Sequence, residues 1–203
     1  MDPIHRLEYF FTQFPGVGAR QSRRFVYYLL KQQPQHLNEL SRLIAQLPDL
    51  VSECADCHRF FPKRGNHQDR CPVCTDAQRD VSQLLIVEKD ADLEAIERAH
   101  AYNGYYFVLG GTLGILEKNP ERVIRMNELR KLIARKQSLK EVIVATAVTP
   151  ESEHTGDYIH EALRDDAASR GYSVTTLGRG ISTGSEIEYA DADTLRNAII
   201  GRK

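Results

Sequence analysis

The sequence predicts an α/β protein built from an N-terminal helical hairpin module, a four-cysteine finger and a Rossmann-like domain with a mostly parallel sheet. Three features of the chain point there. Apolar residues recur at helical spacing through the first fifty residues, with proline and glycine between the runs. Cys54-Ala-Asp-Cys57 and Cys71-Pro-Val-Cys74, thirteen residues apart, use every cysteine in the chain. From Leu84 onward, short β-rich or apolar runs alternate with helical patterns, as in a parallel sheet with crossover helices.

The opening reads as a helix with Asp2 as N-cap and Pro3 at its first position, carrying Ile4, Leu7, Phe10, Phe11 and Phe14, and ended by Pro15. A second helix starts near Arg20, buries Phe25, Val26, Leu29 and Leu30, and stops before Pro34. A third runs from about Gln35 to Leu47, with Leu37, Leu40, Ile44 and Leu47 inward and Pro48 as its break. Between the first two lies Phe14-Pro15-Gly16-Val17-Gly18, a short turn whose glycines permit angles that a side chain forbids. Such a turn exposes successive N–H groups at the start of the second helix. With Arg20, Arg23 and Arg24 just beyond, Gly16 and Gly18 mark a candidate site for backbone phosphate, read without regard to base sequence. The plainer alternative is a tight helical corner with solvated arginines.

The cysteine pairs have the spacing of a closed tetrahedral zinc site with Cys54, Cys57, Cys71 and Cys74 as ligands, leaving no position for substrate. So short a stretch buries little apolar surface. One structural zinc ion is therefore expected to supply on the order of 10 kcal/mol of its folding free energy, and metal loss to unfold it locally. Two disulfides or a redox CxxC are the alternatives. With no apolar signal segment at its start, the chain is expected in the reducing cytoplasm, where disulfides are rare. His58 and His67 read as surface or outer-shell neighbours, because four thiolates already fill the coordination shell.

Beyond the finger, strands are expected at Leu84–Val87, Tyr105–Leu109, Val142–Ala145 and Ser173–Leu177, with helices over about Ala91–Tyr102 and Thr155–Ser169 and Gly171 closing the latter. The apolar runs are strand-length, too short to cross a bilayer. A net charge of -1 argues against binding nucleic acid through bulk positive charge, but the charge is unevenly placed. Arg6, Arg20, Arg23, Arg24 and Lys31 face Asp2 and Glu8 in the first 36 residues, whereas Glu151 to Asp166 holds six acids against Arg164. Leu109-Gly110-Gly111-Thr112-Leu113-Gly114 lacks the Gly-x-x-x-x-Gly-Lys-Ser/Thr pattern of a phosphate-cradling loop and reads as a tight turn. Tyr102, Tyr105 and Tyr106 read as core or subunit-contact residues.

The Pro-Gly-Val-Gly hairpin, the CxxC pairs, Ile96-Glu97-Arg98, Val108-Leu109-Gly110-Gly111, Glu186-Ile187-Glu188-Tyr189-Ala190-Asp191 and Gly201-Arg202 occur in this order along the chain. In that order the chain resembles the RecR recombination mediator family over essentially its whole length. The resemblance implies a helix-hairpin-helix module over residues 1–53, a zinc finger over 54–76, a Toprim domain over 80–177 and a C-terminal segment, 178–203, packing back on the body. It also implies a non-catalytic mediator, commonly a tetrameric ring, that binds gapped DNA or single/double-strand junctions without sequence specificity. Such a protein works in the cytoplasm, at the nucleoid when on DNA, with RecO and RecF partners to load a recombinase onto DNA coated with single-strand-binding protein.

Glu88, Glu151 and Glu153 stand at the expected carboxyl ends of strands, where ligand groups of open parallel sheets gather. In a Toprim enzyme three such carboxylates would hold Mg²⁺ for nuclease, primase or topoisomerase-like chemistry. Against that, the Asp-x-Asp of Toprim enzymes is Glu-Ser-Glu here, with no evident nucleophile nearby. Carboxylates about 4 Å apart repel by about 4 kcal/mol at an effective dielectric near 20, so a cluster requires a cation or a basic partner. The resemblance favours an acidic partner-binding edge, with a merely solvated acidic rim as the alternative. Relatives usually carry Asn-Pro and then Glu-Gly-Glu-Ala-Thr where this chain has Ala147-Val148 and then Glu151-Ser152-Glu153-His154-Thr155, and Lys89 follows Glu88 where a second acid is common.

Overall fold

A computed structural model describes residues 2–63, 68–178, 180–181, 184 and 186–200. Two compact units divide the chain, residues 1–51 and residues 52–203.

The first unit opens with α1 (Pro3–Thr12), capped by the Asp2 carboxylate, which accepts from the Ile4 N–H. The helix closes three residues before Pro15, through N–H bonds from Gln13 to Phe10 and from Phe14 to Phe11. Helix α2 (Ala19–Leu29) returns against α1, with Phe25 edge-to-face on Phe11 at 5.7 Å and Val26 fully buried. Helix α3 (Pro34–Leu50) runs through Pro48 rather than breaking there. Proline in the last turn removes one bond, to Ile44, and only two helical residues follow it, so the interruption costs little. Neither α1 nor α3 contains a buried residue, and Leu30, expected inside, is exposed.

Strand β1 (Val51–Glu53) pairs with β2 (Phe60–Pro62) on either side of the first cysteine pair, and the four-residue α4 (Pro72–Thr75) carries the second. Next come β3 (Asp80–Val87), α5 (Asp90–Ala99), β4 (Gly104–Val108), α6 (Pro120–Val123), α7 (Met126–Arg135), β5 (Glu141–Ala145), α8 (Pro150–Arg170) and β6 (Ser173–Thr176). The four strands form one parallel sheet in the order β4-β3-β5-β6, with Leu84–Val87 in register with Tyr105–Val108 and with Val142–Ala145. One face packs on α7 and α8 through Leu84, Ile86, Phe107, Leu129, Ile133, Ile159 and Leu163. The other face carries Leu85, Val87, Tyr106 and Val108, which join Leu93 of α5 and the four cysteines in a second apolar cluster.

Helix α8 begins five residues before the expected Thr155. Thr149 accepts the Ser152 N–H at 3.2 Å and Pro150 occupies the first position, so Glu-Ser-Glu lies in the first helical turn rather than in a loop. Gly171 closes α8 at φ 75°. A 3₁₀ turn (Ile187–Tyr189) precedes α9 (Ala192–Ile200), whose start is capped by Asp191. His67 and Gly201-Arg202 lie outside the described residues. No described helix is long and apolar enough to cross a membrane.

Candidate metal centre and nucleic-acid interface

The metal centre is assembled from backbone first. Cys54 and Cys57 bracket a turn closed by the His58 N–H to the Cys54 carbonyl, and the Cys71 N–H donates to Cys54 Sγ at 3.3 Å. All four sulfurs lie within 4.8 Å of one another, Cys57 and Cys71 at 3.5 Å, and all four residues are buried. A tetrahedron with metal–sulfur bonds of about 2.3 Å has edges of about 3.8 Å, so the set fits a structural zinc ion. Crowding divides the thiols. Hydrogen bonds from Cys57, then from Cys71 and Cys74, hold Cys54 well below the usual thiol range, and the bond to Cys54 pushes Cys57 up.

The finger is fastened to the sheet at its edge. Strand β4 is an edge strand, and the Cys57 carbonyl accepts the Val108 N–H at 2.8 Å, while the Phe60 N–H reaches Asp90 at 2.7 Å. Asp56 pairs with Arg70 and with Arg135 of α7, and Lys136 Nζ sits 3.7 Å from the Tyr105 ring centroid. Burial lowers the Lys136 pKa against the opposing pull of Cys74 and Asp56. His58 adopts φ 60° and bonds Glu53 at 2.8 Å, beside Arg125, which also contacts Glu53 at 3.3 Å. It faces the carboxylate rather than the sulfurs.

Gly110 explains much of the glycine-rich loop. At φ 86° its missing Cβ would lie 2.2 Å from Arg125 Nη1, the atom that donates to the Val108 carbonyl. The loop makes room for an arginine rather than a phosphate. Tyr106 is fully buried, and the Tyr102 hydroxyl donates to the Tyr105 carbonyl, which gives both rings structural surroundings.

The acidic positions do not share one centre. Glu88 is only 6% exposed and accepts the Ala147 N–H at 3.1 Å, tying the end of β3 to the loop after β5. Glu151 and Glu153 are exposed on the first turn of α8, where the helix dipole favours negative charge. Among the described residues, the four cysteines are the only group of three or more potential ligands drawn together this closely. Behind the acidic turn, Thr155 is fully buried, accepts the Leu113 N–H at 2.8 Å and donates to the Glu151 carbonyl.

At the hairpin, Val17 N–H closes on the Phe14 carbonyl at 3.0 Å, with Pro15 second and Gly16 third at φ 73°, as a type II turn requires. Gly18 caps α2 without a side chain, and its carbonyl takes the Gln21 and Ser22 N–H groups. The amides of Gly18, Ala19 and Arg20 thus point out of the helix start. Arg23 is tied to Glu8 at 3.1 Å and Arg24 to Gln21 at 3.3 Å, whereas Arg20 has no side-chain partner among the described residues.

Residues 82–177 match the family model described as Toprim domain, and residues 180–203 match the one described as "RecR, C-terminal". Among curated proteins, the chain is 34% identical over 203 residues to a recombination protein RecR of Ligilactobacillus salivarius, covering 100% of this chain and 97% of the relative. Identity is 32% over 201 residues to the RecR protein of Lacticaseibacillus casei and 31% over 201 residues to that of Limosilactobacillus reuteri, each with 99% of this chain and 96% of the relative covered.

Proposed function

The chain belongs to the RecR family of recombination proteins, and we propose that it is a non-catalytic mediator that grips DNA at the α1–α2 hairpin and presents an acidic edge to partner proteins. The observation that carries this reading is the start of α2, where three outward amides and the Arg20 and Arg24 guanidiniums share one end of a helix. Amides, dipole and cations together take a phosphate oxygen and read no base. Arg23, held by Glu8, is the weaker third cation.

A single hairpin of this size binds weakly. Several hairpins in one ring would engage one DNA molecule together and gain through effective concentration. In support, the helical unit has surface to cover: Leu40, Leu43, Ile44, Leu47 and Leu50 form an exposed stripe on α3, and Val26 is the only fully buried apolar side chain described in that unit. Zinc at the four cysteines would keep the finger folded. Glu151 and Glu153 would form the docking edge for RecO- and RecF-type proteins during recombinase loading on gapped, protein-coated DNA, while Glu88 holds the loop behind it.

The test is DNA affinity as a function of salt. Arg20→Ala and Arg24→Ala should each weaken binding equally across sequences and lower the log–log salt slope by about 0.9 for each phosphate left without its cation. Unchanged affinity and slope in the double variant would sink the hairpin assignment. Cleavage or relaxation of a nicked plasmid with Mg²⁺ or Mn²⁺ would instead establish a Toprim enzyme.

A further inference from the structure

We propose that the furrow along α2 takes unpaired nucleotides, stacking bases on Tyr27 and Tyr28 while Arg20, Arg24 and Lys31 hold the phosphates of the same strand. This rests on the DNA reading above and adds to it the kind of strand.

The furrow has a volume of 620 Å³, and Arg20, Arg23, Arg24, Tyr27, Tyr28 and Lys31 line it with no carboxylate among them. Spacings of four, three and four residues place Arg20, Arg24, Tyr27 and Lys31 along one side of α2 and its closing turn. At about 1.5 Å per residue that stripe is about 16 Å long, room for roughly five phosphates at the 3.4 Å spacing of a stacked strand. Arg23 is turned toward Glu8, which leaves Arg20 and Lys31 as the cations without a side-chain partner among the described residues.

The tyrosines set this surface apart from a plain phosphate grip. They are 51% and 57% exposed, and neither ring packs on another aromatic among the described residues, whereas Phe11, Phe14 and Phe25 of the same unit meet edge-to-face. Open aromatic faces flanked by cations suit a single strand, whose bases have free π-faces to offer. Bases in a duplex are already stacked on their neighbours, so a duplex engages only the amides and cations. The furrow therefore discriminates by strandedness, the property that defines a gap.

The experiment compares an oligothymidylate of about twenty nucleotides with a duplex of equal length, using the full chain. Tyr27→Ala with Tyr28→Ala should weaken the single strand about tenfold or more and leave the duplex within about twofold. The salt slope should stay as in wild type, because no charge is removed. Tyr27→Phe and Tyr28→Phe should bind normally. With the unaltered protein, an abasic oligonucleotide should show the same loss as the alanine variants, which tests stacking without relying on a variant's fold. Equal binding of abasic and normal strands, or a tyrosine effect shared equally by duplex, overturns the proposal and leaves the hairpin standing. A change of mass in light scattering for the alanine variants, with abasic binding intact, also overturns it by making the rings subunit contacts. Loss of the Arg20 and Arg24 effect on both ligands would be the separate failure of the hairpin itself.

Discussion

If the four cysteines hold zinc as proposed, removing it should loosen the neighbouring sheet, not the finger alone. Phe61 and Val73 are at most 7% exposed and share an apolar cluster with Leu85, Val87, Tyr106 and Val108. Uncovering those two side chains forfeits about 1.5–3 kcal/mol each. The Val108 N–H would also exchange the Cys57 carbonyl for water, a loss of about 0.5–1.5 kcal/mol. Together that is on the order of 6 kcal/mol, within the usual 5–15 kcal/mol of a whole domain, so the edge strand should not survive metal loss intact. The assay is amide hydrogen exchange with and without a zinc chelator, in parallel with thermal unfolding. Protection at Val108 and Leu85 should fall together with that of residues 54–75, and Tm should drop. If residues 54–75 exchange freely while Val108 and Leu85 stay protected and Tm holds, the finger is an independent appendage and the coupling argument is wrong.

Thr155→Val should destabilise the second unit by about 1–3 kcal/mol, read as a lower denaturant midpoint, because the Leu113 N–H loses its acceptor in a buried position. Glu97, paired with Arg79 at 3.0 Å, carries a lowered pKa: burial opposes ionisation, and the bond and charge of Arg79 more than offset it. Its contribution is therefore complete above the unfolded carboxyl range near 4.3 and lost as pH falls through the lower folded value. Glu97→Gln should cost about 2 kcal/mol at neutral pH, with the gap to wild type closing in acid unfolding curves. If the proposed ring forms through the exposed α3 stripe, Ile44→Asp, which places a charge in it, should lower the mass seen in light scattering without lowering helix content.

Contrasts among particular residues separate what the sequence discloses from what it withholds. Helical and strand periods placed α1, α2 and the four strands of the parallel sheet, because each element packs or pairs a face that repeats locally, whereas the short β1 and β2 left no such signal. Cysteine spacing alone brought four sulfurs together, because two-residue loops leave little choice. Thr149-Pro150 carries an N-cap signal, and α8 starts there rather than at the expected Thr155. No local pattern disclosed the burial of Glu88, the pairing of Asp56 with Arg70 and Arg135, or the exposure of Tyr27 and Tyr28, because these depend on what distant segments cover.

The bond from Val108 to Cys57 is the sharpest case of this kind. A parallel sheet needs something at each edge to take the outward N–H groups. Along the chain, Cys57 precedes β4 by nearly fifty residues, and its carbonyl closes that edge only because the second cysteine pair holds the first in place. The finger is thus better understood as the outermost layer of the sheet than as an independent appendage. Metal content, sheet stability and the position of the Glu88-anchored loop should then move together, as three readings of one folded body.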